Sequence, residues 1–120
     1  MQRILVIDDS EDTLYLLKNL LESNGYPTAT LSRAGTTFKM IETFRPELIL
    51  LDINLAEQDG RDICMEVKST SRTKNIRVIL FSGILTSKQD YEQYGCDAFI
   101  EKPVKAKELL KKINLLLKNN

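Results

Sequence analysis

Residues 48–52 read Leu-Ile-Leu-Leu-Asp, four apolar side chains in a row closed by a carboxylate. A strand with one face in water alternates apolar and polar residues. A run that is apolar throughout belongs in a sheet covered on both faces by helices. The pattern recurs at Ile4–Ile7, followed by Asp8-Asp9, and at residues 78–81, followed by Ser82-Gly83. A weaker copy, residues 98–100, runs into Glu101, Lys102 and Pro103. Residues 27–31 make a poorer strand, suited to a sheet edge where proline is tolerated.

Helical patterns fill the gaps. Ser10 can cap a helix whose first turn holds Glu11 and Asp12, favourable at the positive end of the helix dipole. Leu14, Leu17 and Leu21 then fall at helical spacing, and Asn24-Gly25 ends the segment. Phe38, Ile41 and Phe44 repeat the pattern before Arg45-Pro46. Ile63 and Val67 mark a third helix after Gly60, and a short fourth is expected over residues 87–94, before Gly95. Leu109, Ile113, Leu116 and Leu117 mark the fifth. Five βα units joined by right-handed crossovers predict a doubly wound α/β fold with a five-stranded parallel sheet and five helices.

Length and composition agree. The 120 residues suit a single domain, and a hydrophobic fraction of 42% suits a packed core. There is no histidine, which excludes a Ser-His-Asp triad, an imidazole zinc site and a phosphohistidine on this chain. Residues 1–60 carry five Lys/Arg against ten Asp/Glu, and residues 61–120 carry 12 against seven. That split is not the uniformly basic face of a dedicated nucleic-acid binder. No secretory signal or spanning segment is evident. Cys64 and Cys96 are therefore expected as reduced thiols in a cytoplasmic protein, Cys64 as a small core hydrophobe and Cys96 weakly exposed.

In a parallel sheet all strand C-termini share one edge, and ligands bind in the crevice there. The fold thus brings Asp8, Asp9, Asp52, Ser82, Gly83 and Lys102 together. Two carboxylates about 5 Å apart repel by roughly 3 kcal/mol at an effective dielectric near 20. Three need a cation, and an all-oxygen donor set suits Mg²⁺. Asp52 can then act as a nucleophile toward phosphorus, with Lys102 and Ser82 stabilising the transferring oxygens. Taken singly, an aspartate after a strand can as well cap a helix, and a Lys-Pro can be a mere turn. Capping does not explain complementary groups at four strand ends.

At these residues the chain resembles the receiver domain of two-component response regulators. The resemblance runs from Arg3 to about Leu117 and rests on Asp8-Asp9, Asp52, Asp59-Gly60, Ser82 and the Phe99-to-Pro103 stretch. It implies the flavodoxin-like strand order 2-1-3-4-5 and a stand-alone signalling switch. It also implies self-catalysed phosphoryl transfer from a sensor histidine kinase or phosphotransfer protein to Asp52, with autodephosphorylation and no other enzymatic activity. Asp9 and Asp52 would bind Mg²⁺ directly, Asp8 through water and Asn54 through its backbone carbonyl. Gly83 would offer its N–H to the phosphoryl group. Ser82 and Phe99 would form the switch, the ring moving from exposed to buried, and the Lys102–Pro103 peptide would be cis. Output would go to a separate protein, with no direct nucleic-acid or membrane contact, and phosphorylation could be linked to dimerisation.

Three departures bear on output: Ala56 replaces a common proline, Phe99 replaces the commoner tyrosine, and the Ser82-to-Lys102 stretch is about two residues short. Other readings fit less well. A dehalogenase-type phosphohydrolase wants a second aspartate where Ser10 stands, and a flavin phosphate would be repelled by the acidic stretch after strand one. An inactive receiver-like module would not keep both Asp52 and Lys102. The lysines at 105, 107, 111, 112 and 118 are expected to form a solvated face of the last helix.

Overall fold

The structure, a computed structural model, describes residues 2–83 and 93–118. Five parallel strands, β1 (Ile4–Ile7), β2 (Thr28–Leu31), β3 (Leu48–Asp52), β4 (Arg77–Ser82) and β5 (Ala98–Glu101), form one sheet in the order β2-β1-β3-β4-β5. The apolar runs are the buried strands, and the proline-led segment is an edge, as expected. Four α-helices are described: α1 (Glu11–Ser23), α2 (Thr37–Phe44), α3 (Gly60–Ser69) and α4 (Ala106–Leu117), with a 3₁₀ turn (Ala34–Thr36) before α2. The short helix expected over residues 87–94, and most of the shortened stretch, lie outside the described residues.

Alternation along each strand divides the core in two. Leu5, Ile7, Ile49, Leu51, Val78, Leu80 and Phe99 join buried residues of α2 and α3. Their neighbours Ile4, Val6, Leu48, Leu50, Ile79, Phe81 and Ile100 join those of α1 and α4. Each fully buried aliphatic or aromatic side chain contributes about 1.5–3 kcal/mol, so the sheet is held from both sides. Among the described residues no helix is long and apolar enough to cross a membrane.

Local signals set the helix ends. The Ser10 hydroxyl accepts from the Thr13 N–H at 3.3 Å, and Gly25 takes φ +88° just after the Asn24 cap. Asp59 caps α3 by accepting from the Arg61 N–H at 2.8 Å. Gly60 then brings its backbone against β3. Its N–H donates to the Ile53 carbonyl at 2.8 Å, and a Cβ here would sit 2.1 Å from the Asp52 carbonyl oxygen.

The cysteines correct the sequence expectation. Cys64 on α3 and Cys96 before β5 are joined as a disulfide, with Cα atoms 6.4 Å apart across 32 residues. Cys96 is buried rather than weakly exposed, in the same core cluster as Cys64. Their separation in sequence hides this, because α3 packs over the sheet where the chain enters β5.

The contact at Gly60 yields a prediction. Gly60→Ala forces the start of α3 away from β3 and should destabilise the fold by roughly 1–3 kcal/mol in urea unfolding. Gly35→Ala, whose added methyl meets nothing within 4 Å, should be close to neutral. Equal behaviour of the two variants would contradict the close approach.

Candidate phosphoryl-transfer site

Strand order reverses between β1 and β3, because β1 pairs with β2 on one side and β3 on the other. The crevice at that reversal is where such sheets bind ligands. Asp8 and Asp9 follow β1, and Asp52 ends β3. Asp8 is 0% exposed and Asp52 3%, whereas Asp9 faces solvent. Carboxylate oxygens of the three lie within 4.8 Å of one another.

Each buried acid has a tether. Asp8 Oδ1 accepts from the Ser10 N–H at 2.8 Å, and Asp52 Oδ1 from the Asn54 N–H at 3.1 Å. Their Oδ2 atoms share the Lys102 ammonium, at 2.8 Å from Asp8 and 3.3 Å from Asp52. Lys102 reaches in from beyond β5, its N–H anchored on the Ser82 carbonyl at 2.8 Å and its ammonium 4.9 Å from the centre of the Phe81 ring. The Lys102–Pro103 peptide is cis, as the resemblance implied. Ser82 ends β4, and its buried hydroxyl oxygen accepts from the Asn54 amide at 2.9 Å. Gly83 follows, exposed.

Among the described residues the Lys102 ammonium pairs with two of the three carboxylates, Asp8 and Asp52. Burial pushes the Asp52 carboxyl above its ordinary value of 3.8; the Asn54 N–H opposes this, the Asp8 charge adds to it, and Lys102 opposes it. For Lys102, burial alone would lower the ammonium, but the hydrogen bond to Asp8 and the charges of Asp52 and Asp8 outweigh it, so its pKa rises above 10.5. The residues fit a hard divalent cation: three oxygen donors converge, two of them buried, with a charge deficit that one lysine does not fill.

The site residues expected from sequence thus gather at one edge. Phe99 does not match its expected role as an exposed ring. It is 8% exposed, because alternation along β5 aims it into the cluster shared with Leu80 and Cys96. Three contacts were not legible. The Asn54 amide holds Ser82, from just past the end of β3 to the end of its neighbour β4. Arg61 folds back on Asp59, with a 2.7 Å contact, and holds the Asp59 carboxyl below its usual range. Lys112, expected on a solvated face, is half-buried and donates to the Phe99 carbonyl at 3.3 Å, tying α4 to β5.

Comparison with known proteins settles the family. Residues 4–114 match the response regulator receiver domain. The chain belongs to that family. The DNA-binding response regulator MtrA of Mycolicibacterium smegmatis is 30% identical over 125 residues, covering 99% of this chain and 52% of MtrA. This receiver therefore spans about half the length of the curated relatives it matches. Among solved structures, the signal receiver domain of a DNA-binding response regulator from Colwellia psychrerythraea has a TM-score of 0.92 and 27% identity, covering 98% of this chain and 99% of that one. The receiver domain of a signal transduction histidine kinase from Syntrophus aciditrophicus has a TM-score of 0.88 and 31% identity, covering 99% and 92%. Receivers of this family are phosphorylated on an aspartate in two-component signalling, which presupposes a histidine kinase or another phosphodonor.

The raised Asp52 pKa fixes the sign of a pH effect. The folded receiver holds the Asp52 proton to higher pH than the unfolded chain does, so its stability falls as pH rises from 3.8 through the raised value. Asp52→Asn removes that loss. In metal-free buffer the variant should unfold at higher denaturant than the parent at pH 7, with the gap closing toward pH 3. A variant less stable than the parent at pH 7 would contradict the charge deficit.

Proposed function

We propose that this receiver accepts a phosphoryl group on Asp52 from the phosphohistidine of a sensor kinase or phosphotransfer protein, as a cytoplasmic switch. The reading is supported above all by the sharing of Lys102 between buried Asp8 and Asp52, beside Ser82. An Asp52 oxygen attacks phosphorus in line, the P–N bond breaks, its electron pair stays on the donor imidazole, and that nitrogen takes a proton from water. Asp8, Asp9 and Asp52, with the Asn54 main-chain carbonyl, would hold Mg²⁺, which when bound neutralises charge on the transferring oxygens. Lys102 moves its hydrogen bond from Asp52 to a phosphoryl oxygen. Ser82 donates its hydroxyl hydrogen and Gly83 its N–H to the others.

The chemistry is self-catalysed and reversed by autodephosphorylation, so the receiver is a switch and not an enzyme for an external substrate. Output starts where Ser82 leaves Asn54 for the phosphoryl group, which moves the end of β4 against β5. Because Phe99 is already packed beside Leu80, the motion reaches the surface through β5 and through Lys112 on the Phe99 carbonyl. We read that surface as meeting a downstream protein, with a second receiver as one form of that partner, rather than nucleic acid or a membrane. The DNA-binding named for the longer relatives is theirs.

Incubation with Mg²⁺ and acetyl phosphate should add one hydroxylamine-labile phosphoryl group, abolished in Asp52→Asn and impaired in Lys102→Ala. Asp9→Asn should weaken Mg²⁺ binding by about tenfold or more. Normal labelling of Asp52→Asn moves the nucleophile elsewhere, and unchanged Mg²⁺ affinity in Asp9→Asn removes the metal assignment.

A further inference from the structure

We infer that Cys64 and Cys96 form a reversible thiol–disulfide modification site that fixes the approach to β5 onto α3. Their Cα atoms are 6.4 Å apart, within the range a disulfide spans. Neither cysteine has a part in the carboxylate site.

Both redox states are accommodated. Cys64 Sγ lies 3.6 Å from the Tyr94 carbonyl oxygen. A thiol can donate there and a disulfide sulfur cannot, so reduction exchanges the covalent link for a weak hydrogen bond without stranding a group. The turn before β5 is also anchored without the bond. Asp97, next to Cys96, is held by Lys68 at 2.8 Å, by Arg77 at 3.6 Å and by the Val78 N–H at 2.8 Å. A link that spans an already anchored turn suits a switch better than a staple.

The oxidant is hydrogen peroxide. Cys96, the less buried of the two, attacks the O–O bond as thiolate, giving a sulfenic acid and hydroxide, which takes up the proton the thiol gave off and leaves as water. The Cys64 thiol then attacks that sulfur and displaces the second water. Two S–H bonds are lost, one S–S bond forms, and two electrons pass to the peroxide. A dithiol reverses the change by exchange.

The pair reaches toward the carboxylates through α3. Arg61, one turn before Cys64, lies 5.5 Å from the Tyr94 ring and clamps Asp59, which is bridged to Asn54. Closing the disulfide stiffens this route from Tyr94 to the residue that holds Ser82. That extension rests on the phosphoacceptor reading of Asp52.

The test uses the full chain, reduced with dithiothreitol and then treated with hydrogen peroxide. Thiols and intact mass are measured, and decay of the acetyl phosphate-derived acyl phosphate is followed in each form. Oxidation should remove both thiols and the mass of two hydrogens from the monomer, and dithiothreitol should restore them. Decay rates of the two forms should differ by about twofold or more, as expected for modest coupling along a packed route. Cys64→Ala, with Cys96→Ala as a second variant should the first misfold, should show no intramolecular link and no redox effect on decay. Two thiols that survive peroxide, or overoxidise without linking, overturn the site. Equal decay rates overturn the reach to Asp52. If neither form is labelled, the phosphoacceptor reading falls, and the thiol count alone decides the modification site.

Discussion

The sharing of one lysine between two buried aspartates governs this receiver. Asp8 and Asp52 are withdrawn from water at the ends of adjacent strands, and the Lys102 side chain, 26% exposed, supplies a positive charge to both. Exposed carboxylates would swing apart, but these are fixed by the Ser10 and Asn54 N–H groups and by a close-packed sheet that yields little. The repulsion is thus carried in the folded state and is available to bind positive charge. Removing Lys102 would leave two buried anions uncompensated, the situation in which breaking a buried pair is most destabilising.

The rest of the fold holds this arrangement in place. β1 and β3 are buried on both faces, so the two aspartates keep their separation. Gly60 lets α3 start directly on the Asp52 backbone, and the Asp59–Arg61 clamp steadies the loop between them. The Asn54 amide on Ser82 ties β3 to β4, while the Lys102 N–H on the Ser82 carbonyl ties β4 to the residue after β5. A change in hydrogen bonding at Ser82 is therefore felt by both neighbouring strands. Lys112 on the Phe99 carbonyl carries the same linkage to α4.

Much of this could be read from the chain, because unbroken apolar runs admit few placements other than a two-sided parallel sheet. Once the strands were placed, their final residues had to meet at one edge, so Asp8, Asp9, Asp52, Ser82 and Lys102 were legible as a set. Contacts set by side-chain direction were not. Nothing in the spacing of Asn54 and Ser82 announces that the amide spans two strand ends. The burial of Phe99 depends on which face β5 turns inward, a parity that a weak run of three residues leaves undetermined. Cys64 and Cys96 stand 32 residues apart, and only the seating of α3 over the sheet brings them together.

Asp52 is an under-compensated buried carboxylate awaiting positive charge. The decisive experiment follows the Asp52 side-chain carboxyl carbon by NMR through a pH titration, first in metal-free buffer and then with Mg²⁺. The metal-free pKa should lie above the ordinary 3.8 and drop when Mg²⁺ is added. An Asp52 that titrates at or below 3.8 without metal and does not respond to Mg²⁺ would contradict it.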